Sequence, residues 1–390
     1  QLFATRFIGG ADWSPDGKRV VVITNISGRN NLWIVPAAGG GPTQLTVSDQ
    51  RQAVPAWSPD GRWIAFQSDH DADEQWDLFV VDPNNRVVFN LTGTDTISEE
   101  DPVWSPDSKW IAYAVKPKTA PNYEIHLWDM EAGRGGQKSR ALTQGTPADW
   151  SLSPVAFVPG GKWLLANREH ATEKDADVVL VSLAGGEVRN LTTHGGEQRW
   201  LASDVSPDGA WVLLTSNAGN GFDNVALLDL RAALAASQRA QPSGTTPAVT
   251  WITEERWEME AGDFSPDGQA FTWQANLDGN GEIHLCRFGR SGVGLGSSTL
   301  GATGARGDRG TIAGSESLGP RLGDRVRLAT GSGYNTLAGR SGCFSPDGRQ
   351  LLHYRSAADS PGDLHVYELS ASRSRPITQG FVTGVDPADM

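Results

Sequence analysis

The four residues Ser-Pro-Asp-Gly recur along this chain of 390 residues, and they constrain its fold more than any other feature. In the copy Ser58-Pro-Asp-Gly61, the proline fixes φ near the value that the second position of a type I turn requires. Gly61 can adopt the left-handed conformation that closes a three-residue hairpin loop, and Ser58 can brace the turn through its hydroxyl group. The apolar residues on both sides, such as Trp63-Ile-Ala-Phe66, are typical of buried strands. Each copy therefore predicts a strand, a tight turn and a second strand.

Seven copies of this turn can be counted along the chain. Five are exact and start at Ser14, Ser58, Ser206, Ser265 and Ser345; a sixth starts at Ser105 and has serine in place of glycine; a degenerate seventh is Phe157-Val-Pro-Gly-Gly161. The first six copies in chain order lie 44 to 59 residues apart, and the last interval is 80 residues. A period of roughly 40–50 residues is typical of propellers, whose blades are four-stranded sheets. The residues assigned to the turns are Pro15, Asp16, Gly17, Pro59, Asp60, Gly61, Pro106, Asp107, Pro207, Asp208, Gly209, Pro266, Asp267, Gly268, Pro346, Asp347 and Gly348.

The rest of each repeat supplies two further strands. A polar stretch leads to an apolar one, as in Trp76-Asp-Leu-Phe-Val-Val-Asp82, and a short closing strand ends in Leu-Thr or Ile-Thr, as at Leu91-Thr92. We therefore predict an all-β, seven-bladed propeller of four-stranded antiparallel blades over residues 1–380. Its blades are expected to start near residues 10, 54, 101, 153, 202, 261 and 341. Eight blades are the alternative, because the last interval has room for one more unit.

The residue before each turn serine is usually large and apolar. These residues are Trp13, Trp57, Trp104, Phe157, Val205, Phe264 and Phe344. Because they recur in register, they are predicted to pack between neighbouring blades, and burial of such side chains would hold the blades together. A ligand groove lined by these aromatics is the less favoured interpretation.

One segment departs from the repeat. Residues 289–342 contain 15 glycines and no tryptophan, although the chain has 15 tryptophans. We interpret the segment as an insertion that is either a disordered linker or a product of translation in the wrong frame, with a functional loop as a third interpretation. Residues 381–390 are expected to begin a linker to a further domain.

The charge and composition of the chain restrict the kinds of partner that it is expected to bind. A net charge of −13 without any basic run argues against nucleic acid and anionic membrane surfaces. No apolar run is long enough to span a bilayer, so a soluble protein is expected, in a bacterial-type cytoplasm or periplasm that the sequence does not distinguish. The chain opens on Gln1, so a signal peptide is expected to be absent or removed. Cys286 and Cys343 are expected to be free thiols.

The sequence lacks the common motifs of catalytic, metal-binding and phosphate-binding sites. The seven histidines show no metal-ligand spacing, and there is no Gly-x-Ser-x-Gly motif and no phosphate-binding glycine loop. Asp69–Glu74 and Asp278–Glu282 are interpreted as hairpin tips rather than calcium loops. No catalytic residue, metal or cofactor is therefore predicted. Acidic clusters at Glu99-Glu100-Asp101 and Glu254-Glu255 could meet a peptide amine at the propeller rim, or they could be exposed acidic loops.

The repeat resembles a known family. The pattern of an aromatic residue, Ser-Pro-Asp-Gly and a basic residue, followed by a stretch such as "DLFVVD" and a closing "LT", is similar to the WD40-like PD40 repeat of the TolB β-propeller. Over residues 1 to about 288 and 343–390, the chain resembles the N-terminal propeller of serine peptidases of the prolyl oligopeptidase family (S9). The stretches "SEEDPVWSPDS" and "DPADM" carry much of that similarity.

In that family, an α/β-hydrolase domain carries the catalytic triad, and the propeller restricts entry to short peptides. The resemblance thus implies that this chain is a non-catalytic propeller that gates peptide substrates for a covalently linked hydrolase domain. Some members of that family use propeller glutamates to hold the amino terminus of a peptide, but Glu99 and Glu100 match no such motif and are candidate rim contacts on their acidity alone. The alternative is a stand-alone TolB-like propeller that binds a protein partner.

Overall fold

The computed structural model describes residues 7–70, 73–132, 138–238, 247–289, 321–357 and 360–378. Within these ranges the chain forms 28 strands and one helix, and the strands make seven four-stranded antiparallel sheets. Each sheet uses four strands that are consecutive in the sequence. The prediction of an all-β propeller with seven four-stranded blades is therefore confirmed.

The blades are numbered in chain order. Blade 1 contains β1 (Ile8–Trp13), β2 (Arg19–Thr24), β3 (Asn31–Pro36) and β4 (Thr43–Gln44). Blade 2 contains β5 (Gln52–Trp57), β6 (Ile64–Asp69), β7 (Trp76–Val81) and β8 (Val88–Asn90). Blade 3 contains β9 (Ile97–Trp104), β10 (Trp110–Pro117), β11 (Glu124–Asp129) and β12 (Ser139–Ala141). Blade 4 contains β13 (Trp150–Phe157), β14 (Trp163–His170), β15 (Ala176–Ser182) and β16 (Val188–Asn190).

The last three blades continue this order. Blade 5 contains β17 (Trp200–Val205), β18 (Trp211–Ser216), β19 (Asn224–Asp229) and β20 (Val249–Trp251), with helix α1 (Leu230–Ser237) after β19. Blade 6 contains β21 (Glu258–Phe264), β22 (Ala270–Leu277), β23 (Asn280–Gly289) and β24 (Arg321–Arg327). Blade 7 contains β25 (Tyr334–Leu337), β26 (Gln350–Ala357), β27 (Ser360–Glu368) and β28 (Arg373–Pro376).

The Ser-Pro-Asp-Gly turns connect the first and second strands of their blades. In the turn of blade 2, the Ser58 hydroxyl donates to Asp60 Oδ1 at 2.7 Å and accepts from the Trp63 N–H at 2.9 Å. Gly61 has φ of 71°, in the left-handed region where a side chain is unfavourable. The same serine–aspartate bond occurs in all six turns that have a serine, at Ser14, Ser58, Ser105, Ser206, Ser265 and Ser345.

Side chains packed between the sheets join the blades into a ring. Within the described residues there are seven apolar clusters, one at each boundary between neighbouring blades, including the boundary between blades 7 and 1. The residue before each turn serine is buried in the cluster that its blade shares with the preceding blade. This confirms the predicted role of Trp13, Trp57, Trp104, Phe157, Val205, Phe264 and Phe344.

At the boundary between blades 1 and 7, none of the strands in the described residues is exchanged between the two blades. Trp13 Nε1 donates to the Cys343 carbonyl oxygen at 3.1 Å, and Arg375 Nη2 donates to the Ala37 carbonyl oxygen at 2.7 Å. The ring of turns also closes here, because a Cβ added at Gly17 would lie 3.6 Å from Pro346. Side-chain packing and these hydrogen bonds therefore hold blade 7 against blade 1.

The direction of the strands defines two faces. The first strand of every blade ends at its turn, so all seven turns lie at one end of the ring, which we call the turn face. The connections between second and third strands, and those from one blade to the next, lie at the opposite end, the loop face. β1 starts and β28 ends at the loop face.

The closing Leu-Thr or Ile-Thr pairs have a shared role at the loop face. In six blades the threonine hydroxyl accepts a hydrogen bond from a backbone N–H of the third strand, at 2.8–3.0 Å. The threonines are Thr46, Thr92, Thr143, Thr192, Thr253 and Thr378. The closing pair therefore fixes the fourth strand to the third where both reach the loop face.

The structure differs from the prediction for residues 289–342. Residues 290–320 lie outside the described residues, but β24 and β25 fall within the predicted insertion and complete blades 6 and 7. β24 contains Gly323, a residue type with low strand propensity, and β25 has only four residues, so neither gives a clear strand pattern. The strands are nevertheless anchored by buried residues beside them, such as Leu328 and Ala338. The linker predicted for residues 381–390 also lies outside the described residues.

Candidate functional site

The first strands of the seven blades surround a central channel. Toward the turn face, the channel widens into a cavity of about 530 Å³ to which all seven blades contribute. Its wall is rich in turn prolines and the residues that precede the turns, such as Pro59 and Trp57. The wall therefore offers apolar contact, together with polar side chains such as Asp204 and Arg340.

An ion pair crosses the channel. Arg340, between β25 and β26 of blade 7, places Nη2 3.6 Å from Oδ1 of Asp101 in β9 of blade 3. These blades are not neighbours in the ring, so the contact spans the channel. The two side chains are 30% and 43% exposed, so the pair contributes at most about 1 kcal/mol of stability. Arg340 also lines the turn-face cavity, and Asp101 lines a second, smaller pocket.

Three aspartates lie where neighbouring blades meet near the channel; Asp12 is buried, and Asp204 and Asp263 are partly buried. Asp12 accepts from the Trp57 N–H at 2.7 Å and from the Ser341 N–H at 3.0 Å, so it links blade 1 to blades 2 and 7. Asp204 accepts from the Phe264 N–H at 2.8 Å. Asp263 accepts from the Cys343 N–H at 2.9 Å. These carboxylates therefore hold successive blades together.

Burial raises the pKa of all three carboxyl groups. The pKa of Asp12 rises to about 6, although hydrogen bonds from Trp57 and Ser341 oppose the shift. The pKa of Asp204 rises to about 8, because the nearby Asp263 carboxylate adds to the effect of burial. Sequence reasoning missed these residues. The sequence does mark them, because each aspartate stands two residues before a turn serine, as in "DWSPDG", "DVSPDG" and "DFSPDG".

The structure separates the two glutamates predicted at the rim. Glu99 is only 4% exposed, and its carboxylate accepts from the Thr94 hydroxyl at 3.1 and 3.2 Å. Burial, with a smaller effect of Asp77, raises the pKa of Glu99 to about 8. Glu100 instead accepts from the Ser98 hydroxyl and the Tyr123 hydroxyl, both at 2.6 Å. Glu100 lines a cavity.

That cavity is a pocket of about 170 Å³ between blades 3 and 4, which we call the acidic pocket. Three carboxyl-bearing residues line it, namely Glu100, Asp101 and Glu169. Burial raises the pKa of Glu169, and the Arg199 charge partly opposes this. The pocket is small, so it has room for a single side chain or a few atoms of a ligand.

A larger cavity of about 750 Å³ opens at the loop face and is lined by residues of blades 4, 5, 6 and 7. We call it the loop-face cavity. Its charged lining residues are Arg199, Asp223, Glu258 and Glu260, and most of the others are polar or small. Arg199 Nη1 lies 3.3 Å from Asp223 Oδ2. Burial raises the pKa of Asp223, Arg199 opposes the shift, and Glu258 and Glu260 add to it.

The second acidic cluster predicted from the sequence lies beside this cavity but does not line it. Glu254 and Glu255 are exposed in the connection from β20 to β21. The Glu255 carbonyl oxygen accepts from Asn220 and Asn224, at 2.8 and 3.1 Å. The cluster therefore helps shape the wall of the cavity through its backbone. Sequence reasoning missed Glu258 and Glu260, which alternate with buried Met259 at the start of β21.

In the described ranges, no three His, Cys, Asp or Glu side chains come together as a metal site would require. Cys286 and Cys343 are both buried and free. His353 and His365 pack with their ring centres 5.2 Å apart and share the Ser374 hydroxyl. Burial lowers the pKa of His353 to about 3, so this pair is neutral at pH 7. None of the helices among the described residues is long and apolar enough to span a bilayer.

Comparisons with known proteins agree with this architecture. The family model "TolB beta propeller domain" (PD40) matches residues 5–158. The chain is also similar to the "Uncharacterized peptidase YuxL" of Bacillus subtilis (strain 168), with 29% identity over 212 residues. That match covers 53% of this chain and 29% of the peptidase. The resemblance to the TolB type of β-propeller, recognised from the repeat, is confirmed.

Solved structures show the same fold over nearly the whole chain. Prolyl oligopeptidase B from Galerina marginata superposes with a TM-score of 0.67 and 14% identity, over 99% of this chain and 52% of that protein. A structure from a study of two prolyl endopeptidases gives a TM-score of 0.64 and 14% identity, over 96% of this chain and 50% of that one. The chain therefore has the fold of the propeller portion of such peptidases, and it spans about half of their length.

Proposed function

We propose that this chain is the substrate-gating propeller domain of a serine peptidase of the prolyl oligopeptidase family. In this proposal, an α/β-hydrolase domain covers the loop face and receives peptides that the propeller admits. The similarity to a curated peptidase and the fold shared with prolyl endopeptidases support this assignment.

The observation that carries the proposal is the position of the first and last strands. β1 starts and β28 ends at the loop face, so a domain joined after residue 378 would be held against this face. The loop-face cavity and the acidic pocket both lie in this half of the ring, where polar side chains are available to a peptide. Glu100 is the candidate contact in the acidic pocket, whereas Glu99 would need to leave its buried position first.

The parent coding region supplies the first test. We expect it to encode a domain with a Gly-x-Ser-x-Gly segment after residue 390, which is the nucleophile turn of α/β-hydrolases. We expect the full protein to cleave short peptides and to leave folded proteins uncut. A coding region without such a domain would contradict the proposal and favour a stand-alone propeller that binds a protein partner.

Hydrogen exchange in the full protein supplies the geometric test. Compared with the 390-residue chain, the segments 217–223 and 254–260 at the loop face should become protected, whereas the turns 14–17 and 58–61 should not. Protection of the turns instead would place the second domain on the wrong face. The 390-residue chain by itself should hydrolyse no peptide or ester above background, and turnover that persists through repurification would show that it contains a catalytic site.

A further inference from the structure

The loop-face cavity is lined by three acidic residues and one basic residue, so its acidic side chains outnumber its cations. The only guanidinium group in its wall, that of Arg199, pairs with Asp223. Glu258 accepts from the Asp223 N–H at 3.1 Å, and Glu260 accepts from the Gln274 amide. Among the described residues, neither glutamate has an ion-pair partner. Two carboxylates in the same cavity therefore remain available to a cation.

A buried amide oxygen in the same wall also lacks a partner. Asn335 is 1% exposed, and its Nδ2 lies 3.2 Å from the carbonyl oxygens of Gly281, Gly331 and Gly333. These three acceptors fix the orientation of the amide, because the opposite orientation would place Oδ1 against carbonyl oxygens. Asn335 Oδ1 is buried without a hydrogen-bond partner in the described structure. An unpaired buried acceptor is unfavourable, and a ligand with N–H groups would satisfy it.

The cavity also offers an aromatic surface. Tyr334 lines the cavity and is 45% exposed. Exposed aromatic rings attract cations through their electron-rich faces, and a planar guanidinium group can stack on them.

We propose that the loop-face cavity binds the guanidinium group of an arginine side chain in a peptide. A guanidinium group has five N–H donors in a plane, which suits two carboxylates and an amide oxygen, and its flat face suits a tyrosine ring. The cavity of about 750 Å³ is within the range of pockets that enclose small ligands. That the ligand is a peptide rests on the proposed function, whereas its positive charge follows from the cavity.

The test uses the 390-residue chain and a pair of probes. N-acetyl-arginine amide has a single positive charge, on its side chain, and N-acetyl-citrulline amide has nearly the same shape without that charge. Titration calorimetry in about 0.15 M salt, where interactions between distant surface charges are screened, should show binding of the arginine probe. The citrulline probe should bind at least about tenfold more weakly, which corresponds to the loss of one charge-assisted hydrogen bond.

Matched variants locate the site. The double variant Glu258→Gln with Glu260→Gln should weaken binding of the arginine probe about tenfold or more. The control Glu254→Gln with Glu255→Gln removes the same charge from exposed positions outside the cavity, and it should change the affinity by less than about threefold. Thermal unfolding checks that both double variants are folded, and the comparison of the two probes on the unmodified chain does not depend on any variant.

Three results would overturn the inference. They are absence of binding of the arginine probe at millimolar concentration, equal binding of the citrulline probe, and equal weakening by the two double variants. Each can occur while the full protein is still a peptidase gated by its propeller. Conversely, arginine binding would stand if the coding region encoded no hydrolase domain, so the two proposals fail separately.

Discussion

The turn face and the loop face are made by opposite ends of the same strands, yet they differ in how much they repeat. At the turn face, six turns have the same serine–aspartate hydrogen bond, and six of the seven turns contain a glycine with positive φ. At the loop face, the connections differ in length and composition from blade to blade, and a cavity of about 750 Å³ extends across blades 4 to 7. The repeated end supplies stability, and the varied end supplies the candidate binding surface.

In a repeat fold, function can arise where a substitution leaves the neighbouring repeats undisturbed. A substitution in a turn affects a structure on which the neighbouring blade also depends, because the proline of one turn lies against the glycine of the next, as for Pro15 and Gly61. A substitution at the loop face changes exposed side chains such as Glu258 and Glu260. Charge can therefore accumulate at the loop face at little cost to folding.

The largest difference between the two faces is expected when a glycine at each face is replaced by valine. Gly61→Val should lower the free energy of unfolding by about 2–3 kcal/mol, because a β-branched residue is strained at φ of 71°. Gly219→Val, in the exposed connection from β18 to β19, should cost less than about 1 kcal/mol, because this glycine does not need positive φ. Urea unfolding of both variants measures the difference.

Equal effects of the two substitutions would show that the turns do not need left-handed glycine. A separate expectation concerns Gly301→Val, whose effect should also be smaller than that of Gly61→Val. Gly301 lies outside the described residues, so Gly219 is the better control.

The second prediction concerns pH and the buried carboxylates near the channel. Burial raises the pKa of Asp204 to about 8, so the folded protein retains a proton that the unfolded chain loses above its ordinary pKa of 3.8. Between those pH values the folded state binds more protons, and the free energy of unfolding should fall as pH rises. Asp204→Asn cannot titrate, so its stability should fall less steeply from pH 5 to pH 8.

Urea unfolding at several pH values measures these slopes, and Glu254→Gln is the control for the loss of an exposed charge. We expect the control to keep the slope of the unmodified chain. Parallel pH profiles for Asp204→Asn and the unmodified chain would contradict the assignment of the slope to this buried carboxyl group.

The smallest expected difference compares a serine at each face. Ser58→Ala should cost about 1–2 kcal/mol, because it leaves the Trp63 N–H without its acceptor and removes the donor to Asp60. Ser48→Ala, in the connection from β4 to β5, should cost about 0.5 kcal/mol or less, because its hydroxyl accepts a local hydrogen bond from the Gln50 N–H, two residues along the chain. Thermal unfolding compares the two, and a loss at Ser48 as large as that at Ser58 would remove the distinction between the faces.

The sequence predicted most of the fold because the same local signals recur. Ser-Pro-Asp-Gly and the closing Leu-Thr both act through hydrogen bonds within one blade, so each is readable without knowledge of the neighbouring blades. β24 and β25 were missed because their place in the sheets depends on partners distant in the chain, such as the pairing of Cys286 with Arg325.

The candidate site was predicted less well, because it depends on how different blades come together. Glu99 and Glu100 are adjacent in the sequence but point to different surroundings, since successive side chains of a strand lie on opposite faces. Asp223 and Glu258 are 35 residues apart and meet only because blades 5 and 6 are neighbours. Nothing in the local sequence pattern indicates that meeting.

Each blade is made from one continuous stretch of chain, and this has a consequence for protein engineering. A circularly permuted gene that begins at β17, with a short peptide joining residue 378 to residue 7, would cut no sheet and break no strand pairing. Both joined ends lie at the loop face, so the connector would not need to cross the ring. The order of the blades around the axis is thus independent of where translation starts.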